Sequence, residues 1–228
     1  MAFTLKDVVP WGRSFDEYVA MFALTEDDLK KRILGCGDGP AAFNCTLTNR
    51  GGSIVSVDPI YRFSAEEIKN RINETYVQVM EQTEQNRHEF VWENISSPQE
   101  LCELRIAAMN DFLSDYPAGL ANGRYIDASL PNLPFADKTF ELSLCSHLLF
   151  LYSEHLTADF HIMVIKELCR VAGEVRIFPL LELGAKKSRH LDTIINSLQN
   201  DSFTVNIRKV PYEFQNGGNE MLVAEANH

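Results

Sequence analysis

The chain has 228 residues, of which 45% are hydrophobic and 23% are charged, and its formal net charge at pH 7 is −11. This length and composition are typical of a globular protein, and we expect one domain over residues 1–228. The negative charge opposes the phosphate backbone and disfavours a nucleic-acid partner. The five cysteines include no C-x-x-C pair, so neither a disulfide framework nor a metal site is predicted, and reduced, mostly buried thiols are expected.

Membrane and export signals are missing from the sequence pattern. No apolar run approaches the roughly 20 residues that a membrane helix needs. Residues 1–7 lack the charged and apolar regions of a signal peptide. We therefore expect a cytoplasmic protein without a membrane partner, and the oligomeric state stays open.

Helix and strand signals alternate in the first part of the chain. Apolar residues at helical spacing after Ser14 predict a short helix, with Ser14 as its cap. Residues 31–34 are predicted to form a strand that enters a glycine turn, and Pro40 is expected in the first turn of the next helix. The β-branched segment 53–57 indicates a second, buried strand.

Residues 62–122 interrupt this alternation with two predicted helices. Ser64 and Glu67 have the spacing of a capping box, and so do Ser97 and Glu100. The apolar residues expected on one face of the first helix are Ile68, Ile72, Tyr76, Val79 and Met80. Those of the second are Leu101, Leu104, Ala108 and Phe112. This pattern predicts a helical insertion after the second strand.

Strand and helix signals alternate again after the insertion. Strands are predicted at 124–126, 140–145 and 174–178, and helices from about residue 157 and over 191–198. Two last strands, 202–210 and 220–224, flank a loop that contains Asn216-Gly217-Gly218. The chain is therefore expected to be an α/β protein whose otherwise parallel sheet ends in a β-hairpin.

The glycine turn has the sequence Ile33-Leu34-Gly35-Cys36-Gly37-Asp38-Gly39-Pro40, and Val55-Ser56-Val57-Asp58 follows about 20 residues later. This is the spacing of a nucleotide-binding βαβ unit, in which an acidic side chain accepts hydrogen bonds from ribose hydroxyls. A nucleoside-bearing cofactor is therefore predicted. A dinucleotide motif has a small residue after Gly39, and Pro40 in that place disfavours a nicotinamide cofactor.

Two motifs resemble those of class I S-adenosylmethionine-dependent methyltransferases. The run Gly35-Cys36-Gly37-Asp38-Gly39 resembles their G-x-G-x-G motif, and Leu133-Pro134-Phe135-Ala136-Asp137-Lys138-Thr139-Phe140-Glu141-Leu142 resembles their "LPF-x-D-x-x-F-D-L" segment. The arrangement is similar to uncharacterised bacterial methyltransferase-domain proteins. The resemblance implies a Rossmann-like, seven-stranded mixed sheet with an antiparallel seventh strand and flanking helices. It also implies S-adenosyl-L-methionine as the cofactor and a small-molecule methyl acceptor.

The resemblance further implies which residues bind this cofactor. Those expected around its methionine part are Gly35, Cys36, Gly37 and Gly39, although a plain tight turn is the alternative. Asp58, followed by Pro59, would hold the ribose, and a turn role for the Asp-Pro pair is the alternative. Ser129 and Leu130 are expected at the adenine, whereas Asp127-Ala128 would take that place if two residues are inserted.

The end of the fourth strand, Cys145-Ser146-His147, would face the methyl donor and acceptor. Methyl transfer is an in-line displacement that depends on alignment, and a base is needed only if the acceptor must lose a proton. His147 is the predicted catalytic residue, and simple packing at the rim is the alternative. Arg13 is a candidate for the cofactor carboxylate or a surface residue. A cofactor-binding regulatory protein without turnover is the alternative function.

Overall fold

The centre of the fold is a seven-stranded mixed sheet. The computed structural model describes residues 10–227, so the prediction for residues 1–7 lies outside the described residues. The strands of this sheet are β1 Arg32–Cys36, β2 Ser53–Val57, β3 Tyr125–Ile126, β4 Phe140–Ser146, β5 Ala172–Phe178, β8 Phe203–Lys209 and β9 Glu220–Ala226. A separate short hairpin, β6 Leu181–Glu182 and β7 Lys186–Lys187, follows β5.

The strand order of the sheet is β3-β2-β1-β4-β5-β9-β8. The first five strands in this order are parallel to one another, and β9 runs antiparallel to both β5 and β8. The predicted Rossmann-like mixed sheet, with its last strand antiparallel, is therefore confirmed. The short hairpin after β5 was not predicted.

Six α-helices surround the sheet in the described part of the chain. They are α1 Phe15–Met21, α2 Phe43–Asn49, α3 Ala65–Gln85, α4 Pro98–Ala121, α5 Ala158–Val171 and α6 Leu191–Asn200. The predicted caps of the first and third helices form, because Ser14 and Ser64 each complete a capping box with the glutamate three residues later. The helical insertion after the second strand is confirmed as α3 and α4.

Hydrophobic residues on both faces of the sheet explain its layered packing. Successive strand residues point to opposite faces, so in β1 Ile33 packs with α1 and α2 while Leu34 packs with α5 and α6. Helices on both sides leave the strands buried, which is why they are apolar on both faces. A third cluster joins α3 and α4 to β3 through Ile72, Phe112 and Tyr125.

Two local predictions are wrong. Helix α2 begins at Phe43, so Pro40 lies in the loop before the helix, where the main-chain N–H of Ala42 donates to Arg13 O at 2.9 Å. On α4, Leu104 is exposed and Arg105 takes the buried position on that turn. The inward face of α4 thus carries a charged side chain that the hydrophobic pattern does not show.

The remaining sequence expectations concern cysteines and membrane helices. All five cysteines are free and buried, as predicted. No helix within residues 10–227 combines the length and apolar character that a membrane crossing requires.

Candidate functional site

A cavity of about 520 Å³ opens at the carboxyl ends of β1, β2 and β4. The chain runs from β1 through β2 to β3 on one side of the sheet and then crosses to β4 on the other. In open α/β sheets, ligands bind at such a reversal of strand order. The volume is within the range of small-molecule sites.

Eight of the sequence-predicted site residues line this cavity. They are Gly37, Gly39, Asp58, Pro59, Ser129, Leu130, Ser146 and His147. Gly35, Cys36 and Cys145 are not among the lining residues, and both cysteine side chains are buried in the core under the sheet edge. Of the alternative pair, Ala128 lines the cavity together with Ser129 and Leu130, whereas Asp127 is exposed and outside the lining.

Gly35 makes room for a buried carboxylate. A Cβ atom on Gly35 would lie 1.8 Å from Asp38 Oδ2, so no larger residue fits there while Asp38 keeps its position. The Asp38 side chain lines the cavity and accepts hydrogen bonds from Tyr18 Oη at 2.9 Å and Ser56 Oγ at 2.6 Å. The lack of a side chain at Gly35 therefore leaves the space that the Asp38 carboxylate occupies.

The environment of Asp38 changes its titration. Burial raises its pKa to about 6, although the hydrogen bonds from Ser56 and Tyr18 favour the ionised form. The residue is only 7% exposed, so little water reaches its charge. A carboxyl group at the cavity wall therefore changes its charge just below neutral pH.

Asp58 connects the glycine turn to the end of β2. Its Oδ2 accepts from the main-chain N–H of Gly39 at 3.0 Å, and its Oδ1 accepts from that of Ile60 at 2.9 Å. The second contact caps the 3₁₀ turn Pro59–Arg62, so Asp58 has the turn role that was the alternative expectation for the Asp-Pro pair. A carboxylate has about four acceptor positions, and these two bonds leave capacity for a ligand. Burial raises the pKa of Asp58.

His147 follows β4 in a left-handed backbone conformation, with φ +51°. Such a conformation is uncommon for a residue other than glycine and is found disproportionately at functional sites. Here the main-chain N–H donates to Phe178 O at 2.7 Å, and Nδ1 lies 2.8 Å from Ser146 Oγ. Burial and, secondarily, two nearby arginines hold the pKa of His147 well below its usual value, so the imidazole is neutral at pH 7.

The nearby arginines belong to a group that we call the arginine cluster, formed by Arg13, Glu17, Arg105 and Tyr212. Arg105 is 1% exposed and pairs with Glu17, whose Oε1 also accepts from Tyr212 Oη at 2.9 Å. Burial alone would raise the pKa of Glu17, but the Arg105 charge lowers it to about 2. The cluster therefore holds a fully ionised pair beside the cavity.

Both arginines of the cluster line the cavity and have donor capacity left. The Nη1 of Arg13 donates to Trp11 O at 3.2 Å. The Nε atoms of Arg13 and Arg105 are buried and have no hydrogen-bond partner among residues 10–227. Sequence reasoning singled out Arg13 but missed Arg105, because an arginine on a helix is usually exposed.

Two loops form a roof over the cavity, and we call them the roof loops: 86–92, between α3 and α4, and 210–219, between β8 and β9. Main-chain hydrogen bonds connect them, from Val91 N to Phe214 O at 2.7 Å and from Asn216 N to Glu89 O at 2.9 Å. Phe90 stacks on Phe214 with ring centres 4.8 Å apart, and both rings line the cavity. The loop between β8 and β9 therefore borders the cavity.

Comparison with solved structures finds chains of the same general architecture. Magnesium protoporphyrin IX methyltransferase (ChlM) from Synechocystis PCC 6803 with bound SAH is 13% identical with a TM-score of 0.48, covering 92% of this chain and 80% of that chain. A SAM dependent methyltransferase from Aquifex aeolicus is 13% identical with a TM-score of 0.45, covering 91% and 92%. At these values the similarity establishes neither a ligand nor a reaction for this chain.

Sequence comparison gives a much closer relative. No family model matches the chain. The uncharacterized protein MJ0045 of Methanocaldococcus jannaschii is 36% identical over 221 residues, which is 96% of this chain and 96% of that protein. An alignment of this length includes the glycine turn and the insertion. The chain therefore belongs to the same protein family as MJ0045 of Methanocaldococcus jannaschii.

Proposed function

We propose that the protein is an S-adenosyl-L-methionine-dependent methyltransferase that acts on a small-molecule acceptor. The observation that carries the proposal is the hydrogen bond between Gly39 N and Asp58 Oδ2 at the strand-order reversal. This bond holds the Asp58 carboxylate, which is the proposed ribose ligand, against a glycine turn that has no phosphate-binding dinucleotide pattern. The resemblance of both motifs to class I methyltransferases supports the same cofactor.

The cofactor is proposed to extend along the cavity wall from the glycine turn to the residues after β3. Gly37 and Gly39 have φ of +67° and +53°, which side chains other than glycine rarely adopt. A Cβ on Gly39 would meet nothing within 4 Å, so the turn is open to a ligand there. Ser129 and Leu130 would then contact the adenine, and Asp58 the ribose.

The reaction itself is proposed to need little from the protein besides alignment. The bound cofactor would supply an electrophilic methyl group on its sulfonium sulfur. Ser146 and His147 line the cavity at the end of β4, where they would contact the acceptor. The neutral imidazole of His147 would take the proton from an acceptor that must lose one.

Further proposals concern the domain organisation, the insertion and the location of the protein. We infer one domain over residues 1–228, in which the insertion at about 62–122 covers the acceptor site. Val79 of α3 and Leu101 of α4 support this role, because both line the cavity. A cytoplasmic location and the lack of a nucleic-acid partner stay predictions from the sequence.

Calorimetric titration with S-adenosylhomocysteine tests the proposed cofactor. We expect the wild-type protein to bind it, and Asp58→Ala to weaken binding by about 1.5 to 3 kcal/mol, because charge-assisted hydrogen bonds to the ribose are lost. Asp192→Ala is the matched control, since Asp192 is exposed and lies outside the cavity. This control should bind as tightly as the wild type.

Other outcomes of this titration would contradict the proposal. Wild-type protein that binds NADH but not S-adenosylhomocysteine would be a nicotinamide-dependent protein. If the wild type and Asp58→Ala bind S-adenosylhomocysteine with equal affinity, Asp58 does not contact the ribose.

A further inference from the structure

The cavity wall has the opposite charge from the chain as a whole. The chain carries a formal net charge of −11. Among the described residues, the cationic side chains along the cavity wall are Arg13, Arg62, Arg71 and Arg105, and the anionic ones are Asp38 and Asp58. Arginines concentrated in a cleft attract anionic ligands, because low-dielectric walls focus their field. The cavity therefore favours a ligand that carries negative charge.

The arginines at the inner end of the cavity keep unused donor capacity. Arg62 and Arg71 are exposed near the mouth, whereas Arg105 is 1% exposed. Arg105 pairs with Glu17 and Arg13 Nη1 donates to Trp11 O, yet the buried Nε atoms of both arginines have no partner within the described chain. A bound anion would contact the cavity-facing part of these guanidinium groups, since the Nε atoms themselves are enclosed by protein.

The surroundings of the arginines favour a carboxylate with a single charge. A guanidinium matches the planar, two-oxygen geometry of a carboxylate or a phosphate. Glu17 already balances one of the two cations and Asp38 lies along the same wall, so a group with two charges would meet repulsion. Arg13, Arg105 and Glu17 together carry one net positive charge, which a monoanion balances.

The rest of the cavity requires an apolar ligand body. Aromatic and aliphatic side chains line it beneath the roof loops, and they include Val79, Phe90, Leu151, Phe178, Leu183 and Phe214. The stacked rings of Phe90 and Phe214 present a broad apolar surface, against which a flat ring system packs well.

We propose that the methyl acceptor is an aromatic monocarboxylate, whose carboxylate binds Arg13 and Arg105 and whose ring system lies under Phe90 and Phe214. The proposal rests on the methyltransferase function, because it assigns the acceptor of that reaction. His147 adjoins both arginines and the cavity, so an acceptor held in this way would lie beside the end of β4.

Calorimetry with naphthalene-2-carboxylate and naphthalene-2-carboxamide tests this acceptor class, because the two probes share their ring system and a planar substituent of similar size, and only the carboxylate is an anion. Each is titrated with and without saturating S-adenosylhomocysteine. We expect the carboxylate to bind about 10- to 150-fold more tightly than the carboxamide, the range for charge-assisted hydrogen bonds. Equal affinities, or no measurable binding of the carboxylate, would overturn the inference.

Variants identify the arginines that recognise the anion. Arg13→Met is expected to remove the preference for the carboxylate, and Arg105→Lys, which keeps the charge opposite Glu17, is expected to reduce it. Arg208→Met is the matched control on the exposed side of β8 and should keep the full preference. A preference that survives both cavity variants would refute the assignment, and thermal unfolding of each variant shows that it is folded.

A second pair of ligands tests whether Arg13 binds the carboxylate of the acceptor or the carboxylate of the cofactor. The amino-acid carboxylate of S-adenosylhomocysteine is missing from 5′-methylthioadenosine. If Arg13→Met weakens only S-adenosylhomocysteine binding, Arg13 contacts the cofactor and the proposed acceptor site is wrong. If neither nucleoside binds the wild type but the carboxylate preference persists, the methyltransferase proposal fails and the anion site remains.

Discussion

Arg105→Met is expected to lower the free energy of unfolding by about 3 to 5 kcal/mol, the cost of leaving one partner of a buried ion pair unpaired. Methionine fills much of the arginine volume, but it removes the charge that holds Glu17 ionised. Because the folded-state pKa of Glu17 is about 2, below its ordinary 4.5, the pair contributes fully at pH 7, and this contribution is lost as the pH falls from 4.5 through 2. Urea unfolding at pH 7 measures the loss.

The double variant Glu17→Gln/Arg105→Met distinguishes charge from packing. Removing both charges should recover most of the lost stability, because neither member of the Arg105–Glu17 pair is then left charged without the other. Arg208→Met, on the exposed β8 surface, should change stability by less than about 0.5 kcal/mol. If Arg105→Met lowers the free energy of unfolding by no more than this control does, the ion pair does not stabilise the packing of α4 against α1.

Asp38→Asn is expected to have the opposite effect and to stabilise the protein by about 1 to 3 kcal/mol at pH 8. The pKa of Asp38 rises from 3.8 to about 6 on folding, so the folded state favours the neutral carboxyl group. The contribution of Asp38 to wild-type stability should therefore fall by up to about 1.4 kcal/mol per pH unit between pH 4 and 6 and then level off. Asparagine carries no charge to bury, although it accepts one fewer hydrogen bond from Tyr18 and Ser56.

Urea unfolding at pH 4 and pH 8 checks this prediction. Wild type and Asp38→Asn should differ little at pH 4, where the carboxyl group is protonated, and most at pH 8. Asp127→Asn removes an exposed carboxylate outside the cavity and should show the same pH dependence as the wild type. If the difference in the free energy of unfolding between wild type and Asp38→Asn does not change with pH, folding does not raise the pKa of Asp38.

Local patterns were sufficient to predict most of the sheet and its helices. The strand Ser53–Val57 has the predicted bounds, because its β-branched run lies between a glycine pair and Asp58-Pro59. Ser14 and Ser64 begin helices as predicted, since a capping box depends only on residues three apart. The hairpin β6–β7 has strands of two residues each, too short for any periodicity to show.

The candidate site was less predictable because its contacts join distant parts of the chain. Arg105 and Glu17 are 88 residues apart, and hydrophobic periodicity assigned the buried position to Leu104 instead. The role of Asp38 depends on the space that Gly35 leaves, which spacing alone does not reveal. The sequence therefore located the glycine turn and Asp58 at the cavity but not the charged groups at its inner end.

The hydrogen bonds between the roof loops determine which substitutions these loops tolerate. The hydrogen bonds from Val91 N to Phe214 O and from Asn216 N to Glu89 O involve main-chain atoms alone. Every residue except proline offers the same N–H donor, so these two main-chain bonds do not depend on side-chain identity at 91 or 216. Proline at either position would break a connection between the loops, and replacing Asn216 would also remove the bond from its Nδ2 to His88 O at 2.8 Å.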